Sequence, residues 1–416
     1  MRIVTLTKEE FDEYSKRHRY TSLYQTSNYA NFKEINEQFK SHYLGFLDKN
    51  NNLVGASLLL YKPLFWGYKY AYAPRGFLID YEDEALINAV TMELKKLLKK
   101  QKFIFITIDP TVIASERDKD GNTLKFNNDV NRTLSAFKKN NYEHLGFNLY
   151  DESILSRWNV VAPLSNDARI LYHNFSSEVK EKLSYANSIC VNARIDDTYD
   201  INKFYEIIKK KYSKKGITYF RNLFNAFIPD NKVKIFYVYI DTKKYAQNAN
   251  KLYVQEEEKN NSLAGIIQSG DAVKYNIQKA IDDKITSDKL LHSYKKDVVA
   301  STKFLKSNPD GLILGASLVI EEASGVSVIA NYIDKEYERY NANEVLIYEM
   351  MKYFGKQNYQ YINLGSVTGN FDRASKYYTV LLNKLGFNSS IIEYIGQFNI
   401  ILNPFMYKIY QKKNKK

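Results

Sequence analysis

The sequence is short of cysteine and histidine, and each shortage excludes a class of site. A single cysteine, Cys190, cannot form a disulfide within the chain and cannot supply the several thiolates of a cysteine-based zinc site. The five histidines show neither HExxH nor a comparable ligand spacing. We therefore expect no metal site, no cofactor and a reducing compartment.

Long apolar runs are also missing from the sequence. No stretch approaches the roughly 20 uninterrupted apolar residues that a membrane-spanning helix needs. The first five residues, MRIVT, do not begin the apolar core of a signal peptide. These absences predict a cytoplasmic protein that does not span a membrane.

The chain is nevertheless long, apolar and basic. With 416 residues, of which 44% are hydrophobic, it can form two or three packed domains. Its net charge of +13 favours anionic partners such as RNA, lipid phosphates or a negatively charged membrane surface. The same charge can serve solubility alone, so charge by itself leaves both interpretations open.

A short repeat indicates an internal duplication. The string GASL occurs at residues 55–58 and again at 315–318. A second apolar stretch, a helix pattern and a short β-rich run follow each copy, ending at Asp109 and at Gly365. This shared order predicts one α/β unit used twice. Such a chain usually has its working cleft where the copies meet.

Local patterns predict individual elements in the first half. Thr7 followed by Glu10 is a capping-box pattern, so we predict a helix from residue 8 to about residue 17. Residues 110–132 are polar, and we predict a loop there.

Residues 242–304 differ in character from the rest of the chain. They contain no proline, and Ile277, Ile281 and Ile285 are four apart, as on one face of a helix. The string Ser269-Gly270-Asp271 interrupts this pattern near its middle. We therefore predict an arm of two antiparallel helices, inserted into the second copy of the unit. Its nearly neutral charge does not argue for RNA binding.

The C-terminal tail is aromatic and then basic. It ends with Lys412, Lys413, Lys415 and Lys416. Two interpretations are open, a frayed soluble tail and a segment attracted to anionic lipid.

A glycine-rich string follows the predicted strand at residues 361–364. Gly365-Ser366-Val367-Thr368-Gly369 lacks the GK[ST] ending of a phosphate loop, so it is a weak nucleotide motif. It forms either a simple turn or a bare backbone surface that lets a substrate approach the amide groups.

Several short motifs together resemble one known family across nearly the whole chain. They are Gln25-Thr26 with Tyr29-Ala30 and Lys33, Tyr72-Ala73-Pro74-Arg75-Gly76 with Ile79-Asp80-Tyr81, Arg339-Tyr340-Asn341-Ala342, Asn363-Leu364-Gly365, and Ile392-Glu393-Tyr394-Ile395-Gly396-Gln397-Phe398. In this order and spacing they resemble the Fem/Mur (FemABX) non-ribosomal peptidyltransferases, which build the cross-bridge of Gram-positive peptidoglycan.

The resemblance implies an α/β (α+β) fold with two GNAT-like acyltransferase domains and a helical-hairpin, or coiled-coil, arm. The expected parts are a first, acceptor-side domain at 1–150 completed by 390–400, a second domain at 151–241 and 305–389, the arm at 242–304, and a basic aromatic tail at 401–416.

The resemblance also implies an activity. The chain is expected to move alanine, serine or glycine from aminoacyl-tRNA to the stem-peptide amino group of a peptidoglycan precursor. The expected precursor is lipid II, met by a cytoplasmic enzyme in peripheral contact with anionic lipid at the inner face of the membrane. Alternatives are a UDP-linked muramyl pentapeptide as acceptor, or a non-catalytic paralogue that assists assembly. Homologous transferases are candidate partners.

Two lysines take functional roles under this resemblance. Lys384 aligns with the family's functional lysine, and we expect it to contact the reacting ester or a substrate phosphate. Lys33 aligns with a phosphate-binding lysine, and Tyr29 lies one helical turn before it on the same face. The alternative for each lysine is a plain surface residue.

The other candidate substrate-binding residues carry weaker signals. Arg75, between Pro74 and Gly76, either shapes the strand or binds an anion, and the structural role is favoured.

Lys214 lies near the place of a family basic residue that contacts phosphate. Tyr340 and Asn343 precede the second-copy helix and either bind substrate or cap that helix. Gly365 and Ser366 complete the predicted site.

The chain departs from the family pattern at a few positions. Phe77 stands where a proline is usual, Asn383 replaces an aromatic residue, and Ser366 replaces a glycine. Residues 184–188 are uncharged where the family usually has a basic cluster. These departures affect the expected strength of phosphate binding and the identity of the acceptor, and they fit an inactive paralogue as well.

Overall fold

The structure is a computed structural model that describes residues 1–150, 154–196 and 198–414. Its strands are β1 (Arg2–Thr5), β2 (Lys40–Leu47), β3 (Leu53–Pro63), β4 (Lys69–Ala73), β5 (Phe103–Ile108), β6 (Ile113–Arg117), β7 (Thr123–Phe126), β8 (Tyr142–His144), β9 (Trp158–Pro163), β10 (Val191–Ile195), β11 (Val233–Ile240), β12 (Leu312–Glu321), β13 (Gly325–Ile333), β14 (Tyr361–Ser366), β15 (Ser390–Tyr394) and β16 (Phe398–Ile401).

Helices connect and cover these strands, giving a mixed α/β fold. They are α1 (Lys8–Arg17), α2 (Ser27–Glu37), α3 (Glu84–Lys100), α4 (Val130–Lys139), α5 (Ala168–His173), α6 (Ser177–Ser188), α7 (Ile201–Tyr212), α8 (Gly216–Phe227), α9 (Thr242–Ser269), α10 (Ile277–Ser307), α11 (Ala342–Lys356), α12 (Tyr378–Leu382) and α13 (Pro404–Asn414). Across the described ranges, no helix combines the length and apolar character needed to cross a membrane.

The strands form two sheets. The seven-stranded sheet has the order β1-β2-β3-β4-β5-β16-β8, and the nine-stranded sheet has the order β10-β11-β12-β13-β14-β9-β15-β6-β7. β6 and β7 belong to the nine-stranded sheet although they lie within residues 1–150, and so does β15 from the segment expected to complete the first domain. β16, from the same segment, joins the seven-stranded sheet together with the strands of residues 1–108.

The two GASL strings occupy equivalent strands. β3 pairs antiparallel with β2 and β4, and after α3 the chain returns in β5, which is parallel to β4. β12 pairs antiparallel with β11 and β13, and after α11 the chain returns in β14, parallel to β13. The order of elements that the sequence predicts is therefore repeated in the strand pairing as well.

The predicted helix start at Thr7 is confirmed, whereas the predicted loop at residues 110–132 is wrong. Thr7 Oγ1 accepts a hydrogen bond from the Glu10 amide at 3.2 Å, and Glu10 Oε2 accepts one from the Thr7 amide at 2.8 Å. Residues 110–132 instead contain β6, β7 and the start of α4. β6 pairs with β15, where Arg117 lies opposite Ile391. Because that partner is remote in sequence, local polarity does not reveal the strand.

Helices α9 and α10 pack against each other at residues 242–307. Their direction is antiparallel, since Asn260 contacts Ser287 near the tip and Tyr245 contacts Asp297 near the base. Gly270, with φ +64°, ends α9. At the base, buried Asp297 of α10 accepts a hydrogen bond from the Tyr245 hydroxyl of α9 at 2.9 Å, which joins the two helices, and one from the Tyr185 hydroxyl of α6 at 3.3 Å, which joins the pair to the body.

A shared core joins the two sheets. Apolar side chains of β3 and β12 pack in one buried cluster with helices α2, α7 and α8. Ala56 and Leu58 come from the first GASL string, and Ala316 and Leu318 from the second. The duplicated strands therefore face a common interior, and the cavities between the sheets lie beside it.

Candidate functional site

Lys384 lies at the end of β14, beside the glycine-rich string. Its Nζ donates a hydrogen bond to the Ser366 carbonyl oxygen at 2.8 Å. Gly365 has φ +91°, and the pairing of β14 with β9 shifts between Asn363 and Ser366. A Cβ added at Gly365 would lie 3.5 Å from Lys384 Nζ. The ammonium is thus held next to bare backbone, where a substrate carbonyl can approach it.

A groove of about 780 Å³ lies beside α11 and reaches Asn383, the residue before this lysine. Asn343 and Asn383 line it, and the Asn343 Nδ2 donates to the Asn383 carbonyl oxygen at 3.2 Å. Asn331 donates to Asn343 Oδ1 at 2.9 Å. The structure therefore brings four predicted site residues together: Asn343, Gly365, Ser366 and Lys384.

Tyr340 is placed elsewhere. Its side chain is 2% exposed and packs in the core of the second half, against Tyr245 and Phe304 from the helix pair α9–α10. The Arg339 guanidinium donates to its hydroxyl at 2.7 Å. This position serves the attachment of the helix pair, and Tyr340 is not among the residues that line the groove.

Lys33 lies on α2 beside two aromatic rings. One of them is Tyr29, which the four-residue spacing predicts to lie on the same face of the helix. The Lys33 Nζ is 5.9 Å from the centre of the Tyr29 ring and 5.1 Å from that of Phe39. An ion pair joins it to Glu37, one turn later. Burial lowers the pKa of Lys33, and the carboxylate of Glu37 opposes this shift.

The basic side chain that interacts with Lys33 and Glu37 is Lys215, the neighbour of the predicted Lys214. Burial lowers the pKa of Lys215; the carboxylate of Glu37 opposes this shift, and the charge of Lys33 adds to it. Its Nζ also lies 3.4 Å from the Tyr219 hydroxyl. Lys214 and Lys215 are both exposed in the turn before α8, so their exposure does not separate them; the interaction of Lys215 with Glu37 and Lys33 does. Sequence spacing cannot choose between adjacent lysines, because the start of α8 determines which one turns toward α2.

Arg75 is buried at the end of β4, where φ is +52°. Its amide donates to Asp109 Oδ1 at 2.7 Å, and its guanidinium donates to the Ser156 carbonyl at 2.6 Å. The guanidinium also lies 4.6 Å from the centre of the Tyr394 ring. These contacts connect the two halves of the chain, in keeping with the favoured structural role of Arg75.

A cavity of about 390 Å³ lies beside Arg75 between the halves. Glu322 faces it, accepting hydrogen bonds from Ser327 Oγ and, at 3.3 Å, from the Leu23 amide. Burial raises the pKa of Glu322. Burial also raises the pKa of nearby Asp109 to about 6, although Arg75 and Tyr72 stabilise its charged form.

Sequence reasoning does not single out Lys215, Asp109 or Glu322, which the structure places beside the predicted residues Lys33 and Arg75. The only signal for Asp109 is its position directly after β5, where the first copy of the repeat ends. Glu322 follows β12 in the second copy. Each is a single carboxylate at a strand end, a pattern too common to indicate a site before the fold places both near Arg75.

The arrangement provides positive charge at two separate places. Lys33 and Lys215 form a pair around Glu37, and Lys384 stands at the end of β14. Ammonium groups held in such places can bind phosphate oxygens or stabilise negative charge that develops on a carbonyl oxygen. The geometry therefore suits an anionic substrate and an acyl-transfer step.

Comparison with protein families gives a match over nearly the whole chain. Residues 6–415 match the model of the FemAB family. "Aminoacyltransferase FemB" from Staphylococcus epidermidis is 25% identical over 418 residues, covering 99% of this chain and 97% of the relative. "Lipid II:glycine glycyltransferase" from Staphylococcus aureus is 23% identical and covers 98% of this chain and 94% of the relative.

A solved structure, described as the crystal structure of FemX, has a similar fold. It superposes with a TM-score of 0.74 at 21% sequence identity, covering 98% of this chain and 99% of that one. Because the superposition covers 98% of this chain, the similarity of fold extends over both of its sheets.

Proposed function

This chain belongs to the FemAB family, and from that membership we propose that it is an aminoacyltransferase of peptidoglycan cross-bridge synthesis. It moves alanine, serine or glycine from aminoacyl-tRNA to the stem-peptide amino group of a precursor, which we propose to be lipid II. The lipid II acceptor is suggested by relatives named lipid II:glycine glycyltransferase. The observation that carries the proposal is the Lys384 ammonium held beside the bare backbone at Gly365.

The proposed chemistry needs little from the protein. An aminoacyl ester on tRNA is already activated, so the acceptor amine attacks its carbonyl carbon directly. A C–N bond forms and the carbonyl oxygen becomes an oxyanion. When this intermediate collapses, the bond from the carbonyl carbon to the ribose oxygen breaks, and the proton lost by the amine balances the one that the ribose oxygen takes up as it leaves as a hydroxyl group. Lys384 is suited to stabilise that oxyanion because its ammonium lies next to an approachable strand end.

The acceptor site lies at Lys33 and Lys215 in this proposal. Glu37 partly neutralises the two ammonium groups. A substrate diphosphate carries more negative charge than the Glu37 carboxylate, so it would displace Glu37 as the partner of the two lysines. Its stronger attraction would offset the cost of partly burying their ammonium groups. Tyr29 adds an aromatic surface beside it.

The repeated strand order supports the interpretation of two acyltransferase domains of the GNAT type. In each copy, two antiparallel pairings are followed by a helix and a parallel strand. We propose that the first copy holds the acceptor and the second holds the ester. The helix pair α9–α10 forms the arm, and the enzyme works in the cytoplasm at the inner face of the membrane.

Transfer of labelled amino acids tests the proposal. The purified chain is incubated with tRNA charged with glycine, alanine or serine, and with either lipid II or the UDP-linked precursor. We expect label on the stem peptide of lipid II with one of the three donors. Label on the UDP-linked precursor alone would replace the lipid acceptor with the soluble one. No transfer with any donor would overturn the enzymatic proposal in favour of a non-catalytic role.

A further inference from the structure

Helix α13 and the loop before β4 carry an exposed aromatic and basic surface that shares no residue with the groove beside α11. Its members are two aromatic residues and three lysines: Trp66, Phe405, Lys408, Lys412 and Lys413. We call it the aromatic–lysine face. Trp66 is 68% exposed and Phe405 is 71% exposed, values unusual for such large apolar side chains in a soluble domain.

Helix α13 has one buried side and one exposed side. Met406 and Tyr407 pack against Ile104 and Phe105 of β5, and Tyr407 donates to Glu143 Oε2 at 2.6 Å. Phe405, Lys408 and Lys412 follow the spacing i, i+3 and i+7, so they share the opposite side of the helix. All three are exposed. The buried side holds α13 against the sheet, so the exposed side presents one aromatic residue and two lysines in a fixed position.

The loop before β4 brings Trp66 to the same surface. Lys413 Nζ lies 5.0 Å from the centre of the Trp66 ring and 4.3 Å from that of Phe65. Trp66 has φ +55° and ψ +30°, a left-handed conformation that costs free energy for a bulky residue. The backbone accepts this cost while the indole ring gains little burial, which indicates that an exposed ring at this position has a use.

The charge of this segment has one sign. Residues 401–416 contain five lysines and no aspartate or glutamate. Aromatic rings prefer the headgroup level of a bilayer, and lysines beside them attract anionic lipid. We propose that the aromatic–lysine face docks this protein on an anionic lipid bilayer. The biological purpose of such docking rests on the proposed function, in which the acceptor is lipid-linked.

The position of the face relative to Lys33 supports this docking. Phe39, which contacts Lys33, lies 6.3 Å from Tyr70, and Tyr70 stacks on Phe105 at 5.8 Å. Phe105 in turn contacts Tyr410 of α13 at 4.8 Å. A continuous row of rings therefore links the lysine site to α13.

Tryptophan fluorescence gives a direct test, because the chain has two tryptophans and Trp158 is only 3% exposed. The full chain is titrated with vesicles of phosphatidylcholine alone, or of phosphatidylcholine with phosphatidylglycerol. We expect a blue shift of the emission with the anionic vesicles only, and we expect Trp66→Phe to abolish it. If the protein co-sediments with the anionic vesicles but its emission does not shift, the protein binds lipid through another surface and the proposed face is overturned.

Co-sedimentation with the same anionic vesicles tests the other members. The double variants Trp66→Ser/Phe405→Ser and Lys412→Glu/Lys413→Glu should each bind at least tenfold more weakly than the unaltered chain. The matched controls are Met92→Ser, which removes an exposed apolar side chain on α3, and Lys295→Glu/Lys296→Glu, which reverses an adjacent exposed lysine pair on α10. Equal binding by the test and control variants would overturn the proposal.

A transfer assay separates this inference from the proposed function. The docking variants should lose transfer to lipid II embedded in vesicles while keeping transfer to lipid II dissolved in detergent. Vesicle binding through Trp66 without any transfer would leave the docking surface intact and overturn the enzymatic proposal. Full transfer to vesicle-embedded lipid II by variants that no longer sediment would overturn the role of docking.

Discussion

Lys384 and Ser366 are joined across the second copy of the repeat by a 2.8 Å hydrogen bond from the lysine Nζ to the serine carbonyl oxygen. The contact fixes a positive charge at the end of β14, where Gly365 leaves the backbone uncovered. It also relates two motifs that are separate in the sequence, the glycine-rich string and the lysine near residue 384.

Replacing Lys384 with methionine should lower kcat/KM for aminoacyl transfer by about 100-fold or more, because a positioned cation that stabilises an oxyanion is lost. Steady-state transfer rates measure the effect. Lys376→Met is the control, since Lys376 is exposed in the same segment. Unchanged rates for Lys384→Met would remove this lysine from the reaction, and recovery in Lys384→Arg would support a charge-based role.

Replacing Lys215 with methionine should raise KM for a diphosphate-bearing acceptor about tenfold, because one charge-assisted hydrogen bond to phosphate is worth about 1.4 kcal/mol or more. Lys214→Met, one residue away and exposed, should leave KM nearly unchanged. Stem peptide without phosphate provides the comparison substrate, for which neither variant should differ from the unaltered chain. A larger increase in KM for Lys214→Met than for Lys215→Met would show that Lys214 binds the phosphate instead.

Asp109 should make stability depend on pH. Burial raises its pKa to about 6 from the ordinary value of 3.8, so the neutral acid favours the folded state. This contribution is fully present below pH 3.8 and is lost as the pH rises through about 6.

Asparagine at position 109 stays neutral at every pH. The unfolding free energy of the unaltered chain, minus that of Asp109→Asn, should therefore fall by about 2 kcal/mol across the window from pH 4 to 7. Chemical denaturation at several pH values measures it. A difference that rises with pH would mean that Arg75 outweighs burial and keeps the carboxylate charged.

Gly315→Ala should destabilise the chain by about 1–3 kcal/mol. The added methyl group has no room between β12 and its neighbouring strand, so the backbone must move to accommodate it. A Cβ at Gly315 would lie 2.3 Å from the Tyr332 carbonyl oxygen of the neighbouring strand. Gly265→Ala on α9 is the control, since nothing lies within 4 Å of its Cβ and alanine favours a helix. Denaturant unfolding compares the two, and equal stabilities would show that β12 tolerates the extra methyl.

The sequence alone predicts the parts of the fold that depend on local patterns. The capping box at Thr7 gives the start of α1, and the GASL repeat gives the equivalent strands β3 and β12. These succeed because hydrogen-bonding and apolar periodicity act over a few residues. β6 and β7 escape prediction because β6 pairs with β15 from near the C-terminus, and its polar residues look like a loop until that partner is present.

The repeated order of elements, the family motifs and the candidate lysines can all be recognised in the sequence, because each is a local pattern of residues. Which of these groups meet becomes visible only in the folded chain. It paired Lys384 with Ser366, chose Lys215 over Lys214 beside Lys33, and buried Tyr340 under the helix pair α9–α10. The physical reason is that charge, burial and hydrogen bonding act through space, and helix starts and strand pairings set those distances.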